Sequence, residues 1–176
     1  MTDEELNTPG IINGWRIAGW GALIALLALP AIAMHFTPDV AWTARDFMFA
    51  AVLLGALGFG VEFAVRLGRG GAHRAGLIAA ALAAFATMWA NAAVGIVGDG
   101  PINIAFVGII VVGVIASVFV KLRPKPMAGI AAAMVAGVLA VGFAAEFSFQ
   151  PDWGPVLFIA ALWLVPTLLL RKAAAD

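Results

Sequence analysis

The chain has 176 residues, 64% of them hydrophobic and 11% charged, and its ten basic and ten acidic side chains leave no formal net charge. A soluble domain carries roughly 45–50% apolar and about 25% charged residues, so the composition excludes a water-soluble globule, and without a basic field it suggests no nucleic-acid partner. There is no cysteine, which removes disulfides, thiolate nucleophiles, Cys-ligated zinc and iron–sulfur clusters.

At about 20 residues per span, the length accommodates six helices and little else. The expected fold is an all-α, polytopic membrane helical bundle of six transmembrane helices arranged as three hairpins. Residues 13–171 form its single domain, between an acidic tail (1–12) and a short second tail (172–176). Met1-Thr2-Asp3-Glu4-Glu5 is acidic where a secretory signal would be basic, so the first apolar run is expected to be retained. Ten-residue alternation, the mark of a transmembrane barrel, is missing.

The first span covers residues 15–35, with Trp15, Arg16 and Trp20 as interfacial anchors. Pro30 lies inside it, removes one backbone donor and predicts a kink. Thr37-Pro38-Asp39 is a turn, and Thr43-Ala44-Arg45-Asp46 reads as a capping box opening a second span at 46–67. Near its end Glu62 precedes Arg66 by four residues, the spacing of a same-face ion pair. Arg66, Arg69, His73 and Arg74 surround a glycine-rich turn at 68–71.

A third, Ala-rich span follows at 75–97, then Gly98-Asp99-Gly100-Pro101 and a fourth span at 102–120 that ends in Lys121-Leu122-Arg123-Pro124-Lys125-Pro126. The fifth span covers 127–147. The sixth starts in the turn-forming stretch 149–155, contains Pro166, where a bend is expected, and stops before Arg171.

With the amino terminus inside, nine of the ten Lys and Arg residues fall at cytoplasmic ends and only Arg45 falls outside. Short loops obey this bias, which places both termini in the cytoplasm. The three hairpins resemble one another, as the general need for turn formers on one side and cations on the other already explains.

Candidate sites are few. Ala80, Ala84, Thr87, Asn91 and Gly95 recur at three or four residues in the third span, a small-residue stripe that admits another helix. Asn91 either joins two helices through its amide or lines a polar cavity. In the fifth span Gly129, Ala133, Gly137 and Val141, with Ala132, Ala136, Ala140 and Ala144 beside them, suit tight pairing within the chain or with another subunit. Glu146 lies about one turn inside the end of that span, where a carboxylate serves proton or ion transfer or reaches out to the interface.

His35, Asp39, Arg45, Asp46, Asp99, Asn103, Glu146 and Asp152 collect near the three outer turns. His35, Asp39, Asp99 and Glu146 are ligand types for a divalent cation, but their spacing matches no metal motif, so solvated loop carboxylates are expected and no metal. His35 and His73 lie at opposite membrane faces and cannot ligate one haem. No lysine lies within a span to carry a retinal Schiff base, and no hydrolytic triad, zinc-protease motif or phosphate loop is present. No cofactor and no enzyme activity are expected.

Phe36, Trp42, Phe47, Phe49, Phe147, Phe149 and Trp153 form an interfacial belt, whereas Trp89 and Trp163 lie deeper, as packing residues or as contacts for a pigment, quinone or lipid tail.

The stretch Trp89-Ala90-Asn91-Ala92-Ala93-Val94-Gly95-Ile96-Val97-Gly98, followed by Pro101-Ile102-Asn103, resembles an uncharacterised family of small bacterial six-span inner-membrane proteins. So do Trp42-Thr43-Ala44-Arg45-Asp46-Phe47 and Arg123-Pro124-Lys125-Pro126-Met127-Ala128. The resemblance implies the topology and carries no activity or site.

Three readings follow. One is a non-catalytic structural or accessory subunit that packs against itself or a larger membrane complex. Another is a small transporter or channel for protons, ions or a small solute, using Asn91, Glu146 and Glu62. The third is a binder of a lipid-soluble ligand at Trp89 or Trp163.

Overall fold

The computed structural model describes residues 14–98, 100–147 and 152–176. Six α-helices follow in order: α1 (Gly14–Ala33), α2 (Ala44–Leu67), α3 (Gly71–Ala93), α4 (Ile104–Phe119), α5 (Pro124–Glu146) and α6 (Trp153–Ala175), with a 3-10 turn, Pro101–Asn103, leading into α4. Each is long and apolar enough to cross a membrane, the fourth when its 3-10 turn is included. The protein is an all-α membrane bundle with no strand among the described residues.

Several helix ends differ from expectation, each for a local reason. α3 starts at Gly71, so His73 and Arg74 belong to its first turn and not to the preceding loop. It stops at Ala93 because Gly95 turns to φ +68°. α5 starts at Pro124, where proline's missing N–H costs nothing and its fixed φ suits a first turn. α6 starts at Trp153 behind Asp152, whose carboxylate accepts the Gly154 N–H at 2.9 Å. It then continues through Arg171 and Lys172, both good helix formers, to Ala175.

The capping box at Thr43 forms one of its two arms. The Asp46 carboxylate accepts both the Thr43 N–H (2.7 Å) and the Thr43 O–H (2.8 Å). The hydroxyl therefore donates back to the carboxylate and does not serve a helix amide.

The chain divides into two compact units, one ending at Gly58 and the other comprising Phe59–Asp176, so the division falls within α2. In the first, α2 buries Ala50, Leu54 and Gly58 at four-residue spacing. A Cβ on Gly58 would stand 2.7 Å from the Trp20 ring and 2.8 Å from Leu23, so the absence of a side chain lets α1 come this close.

In the second unit, α6 packs along both α3 and α5. α5 buries Met127, Ala131, Met134, Val138, Val141 and Ala145, and α6 buries Val156, Ile159, Trp163, Pro166 and Leu170. Both sets advance by alternating steps of three and four, the 3.5-residue period of a left-handed helix seam. α3 approaches α6 at Gly76, where a Cβ would meet the Leu170 side chain at 2.7 Å. Lipid tails are as apolar as leucine, so such contacts are held by close packing and hydrogen bonds more than by escape from water.

This packing divides the small residues expected to pair on α5. Val141 is buried and Gly137 abuts Ile109 of α4, but Gly129 and Ala133 are exposed, as are Ala132, Ala136, Ala140 and Ala144. Larger side chains, Met127, Met134 and Val138 among them, fill the α5 interface within the unit.

α4 ends in a Schellman motif: Lys121 N–H bonds the Val118 carbonyl at 3.0 Å and Leu122 N–H bonds the Ser117 carbonyl at 3.2 Å. Glycine is the usual left-handed residue there. Here both Lys121 and Leu122 adopt φ 53°, at a cost of about 1–2 kcal/mol per residue.

Candidate functional site

The α3–α6 seam carries Thr87 and Thr167, two of the three buried polar side chains among the described residues; the third is His73. Thr87 donates its hydroxyl to the Ala83 carbonyl (2.7 Å) and accepts the Trp163 indole N–H at 3.1 Å, and Thr167 donates to the Trp163 carbonyl (2.8 Å). These side chains are buried, so a hydroxyl with two partners satisfies its own needs and those of the indole. The bond across the seam ties the two helices at one point.

Asn91 lies one turn further along α3 from Thr87, on the same face. Its Oδ1 is buried and accepts no hydrogen bond among the described residues. A buried carbonyl oxygen without a donor costs about 1–3 kcal/mol. Trp89, two residues earlier and partly buried, stacks on Phe85 with centroids 5.8 Å apart and planes at 20°.

His73 and Asn103 organise the two ends of α3. His73 is buried, its Nδ1 accepts the Arg69 N–H at 3.0 Å, and its Nε2 lies 2.8 Å from the Leu122 carbonyl. An imidazole nitrogen that accepts from N–H leaves the proton on the other, so Nε2 donates to Leu122. At the opposite end the Asn103 carbonyl accepts from Ile96 N–H (3.1 Å) and Val97 N–H (3.4 Å), and its amide donates to the carbonyls of Gly98 and Gly100. One side chain thus holds the whole turn and seats Ile96 and Val97 in the core.

The candidate carboxylates are held locally. Glu62 accepts from Arg66 Nε at 2.5 Å, the same-face pair that the spacing implies. Glu146 is the last residue of α5, is exposed, and accepts the Trp153 indole N–H at 2.5 Å, tying the end of α5 to the start of α6. Asp39 accepts the Thr37 hydroxyl at 3.0 Å while its own N–H bonds Thr37 Oγ1 at 3.2 Å, closing a small turn. His35 is exposed in the stretch after α1. Asp99 lies outside the described residues. Among the described residues no three of His, Asp and Glu come together.

The sequence reading therefore finds Asn91, Glu62 and Glu146 at notable positions, but the structure does not gather them into one site. Sequence reasoning missed the Thr87–Trp163 bond, the His73–Leu122 bond and the left-handed pair Lys121-Leu122. A His at the third position of a helix opened by two glycines is a weak cue to the second of these; the others leave no local pattern. Comparison with protein-family models, curated proteins and solved structures gave no match.

Proposed function

We propose that the chain is a non-catalytic structural or accessory subunit of the bacterial inner membrane, of a kind with the small six-span proteins it resembles. Both termini are cytoplasmic, and the protein packs against itself or a larger membrane complex. The observation that carries this reading is the row Ala132, Ala136, Ala140 and Ala144, exposed at four-residue spacing along one edge of α5. Such an edge lets a second helix approach to backbone contact. Supporting it, Glu62 and Glu146 have partners on their own hairpins, so neither carboxylate calls for a transported cation as its counter-charge.

The natural absence of cysteine makes the test direct. Single cysteines at Ala136 or Ala140 are cross-linked in native membranes, with Val112 on the exposed side of α4 as control, and the extracted protein is weighed by native mass spectrometry. The expected result is a discrete dimer or a stoichiometric larger adduct from α5 positions only. A bare monomer, with no adduct from any α5 position, sinks the proposal. Labelling of cysteines at Arg123 and Asp39 with an impermeant maleimide on whole cells tests the orientation, and only Asp39 should react.

A second reading, a path for protons, ions or a small solute, is favoured by the buried Asn91 oxygen, which has no donor among the described residues. Flux through proteoliposomes that falls in both Asn91→Ala and Glu146→Gln, with the protein intact, would select it.

A further inference from the structure

Beside the Lys121-Leu122 turn lies a groove of about 360 Å³ lined by Phe119, Val120, Lys121, Arg123 and Pro126. Its chemistry is divided. Phe119, 81% exposed, and the neighbouring exposed Val118 extend apolar surface along the end of α4, while Lys121 and Arg123 place two cations immediately beyond. Residues 100–145 contain no Asp or Glu, so the one carboxylate on α4, α5 or their connection is Glu146, at the far end of α5 from Lys121, Arg123 and Lys125.

Two further features mark this turn. The buried imidazole of His73 donates to the Leu122 carbonyl, pinning the turn to the start of α3. Both left-handed residues are non-glycine, although glycine at position 121 would form the same Schellman motif without strain at that residue. Backbone strain that persists at one spot motivates a functional reading of the side chain kept there. That side chain is a lysine in a groove.

We propose that this groove binds the headgroup phosphate of an anionic phospholipid, with Lys121 and Arg123 on the phosphate and Phe119 against the acyl chain. Arg offers a planar fork and Lys a point charge to phosphate oxygens, and basic residues just beyond a spanning helix attract anionic lipid. The exposed apolar wall next to the cations selects a lipid over a free phosphate ion. The inference rests on the chain spanning a membrane and is independent of its role as a subunit.

The test uses the full-length protein in detergent, titrated with dioleoylphosphatidylglycerol, dioleoylphosphatidylcholine or inorganic phosphate, with bound lipid counted by native mass spectrometry. One phosphatidylglycerol should be retained under activation that strips phosphatidylcholine, and millimolar inorganic phosphate should not displace it. Arg123→Gln and Lys121→Gly should each weaken retention about tenfold, and Arg171→Gln with Lys172→Gln should leave it unchanged. Lys121→Gly guards against misfolding as an explanation, because it relieves the left-handed strain and should raise the melting temperature while lipid is lost. Equal retention of both lipids, displacement by inorganic phosphate, or full retention in Lys121→Gly overturns the proposal.

Discussion

His73 and Leu122 lie 49 residues apart and are joined by a 2.8 Å hydrogen bond from the imidazole Nε2 to the backbone carbonyl. Because Nδ1 is occupied by the Arg69 N–H, one neutral ring serves two backbone groups on two separate turns. A helix start and a strained helix-to-helix turn are thereby set against each other.

Removing that ring should be costly. His73→Ala leaves the part-buried Arg69 N–H and Leu122 carbonyl without their partner, each bond worth about 0.5–1.5 kcal/mol, and opens a void. His73→Phe fills the space without restoring either bond. Thermal denaturation in detergent should show both variants destabilised by at least about 1 kcal/mol, with Phe recovering only the packing part. A wild-type midpoint in His73→Phe would mean that the two bonds contribute nothing.

Asn103 predicts a different signature. Its carbonyl holds two N–H groups and its amide two carbonyls, so Asn103→Asp keeps the acceptor and loses the donor. The Ile96 and Val97 amides should stay protected from hydrogen exchange in Asn103→Asp but exchange rapidly in Asn103→Ala, which loses about 2–6 kcal/mol if each of the four bonds contributes 0.5–1.5. Gly95→Ala should match or exceed that loss, because at φ +68° its Cβ would stand 2.5 Å from the Gly98 carbonyl oxygen. Unchanged exchange in Asn103→Ala would show that the turn is held by Ile96 and Val97 burial alone.

The helices themselves were legible because a spanning segment is a one-dimensional signal: twenty apolar residues between turn formers need no knowledge of neighbours. The Glu62–Arg66 pair was legible for the same reason, as both partners lie on one helix face. The packing face of α5 was not. Small residues occur on several of its faces, and which one is buried depends on where α4 and α6 lie; the seam at Met127, Ala131, Met134 and Val138 competes with the alanine row at Ala132, Ala136 and Ala140. Lys121 and Leu122 in left-handed conformation were unreadable because no glycine marks the place. Thr87 was found as a small residue on the right face, but its bond to Trp163 depends on α6 lying beside α3.

That bond allows a measurement of what a buried interhelical hydrogen bond contributes here. Thr87→Val conserves shape but removes the acceptor of the Trp163 indole N–H. Such bonds between membrane helices average about 0.6 kcal/mol with a maximum near 1.7. Thr87→Val should therefore lower stability by about 1 kcal/mol, and Trp163→Phe by more because it also loses ring volume. In a double-mutant cycle the two effects should be coupled, since the second substitution finds the bond already broken. Simple additivity would mean that the bond contributes nothing beyond packing.

Asn91 carries the prediction of opposite sign. Its Oδ1 is buried with no donor among the described residues, so replacing the amide with a side chain of similar size and no polarity removes a penalty of about 1–3 kcal/mol. Asn91→Leu should raise the melting temperature, whereas Thr87→Val, one turn away, lowers it. The contrast is informative because both positions lie on the same face of α3, Thr87 buried and Asn91 partly buried. If Asn91→Leu is instead destabilised by more than about 1 kcal/mol, the amide has a partner, such as a water or solute that enters the seam, and the reading of Asn91 as part of a polar path gains over that of a packing position.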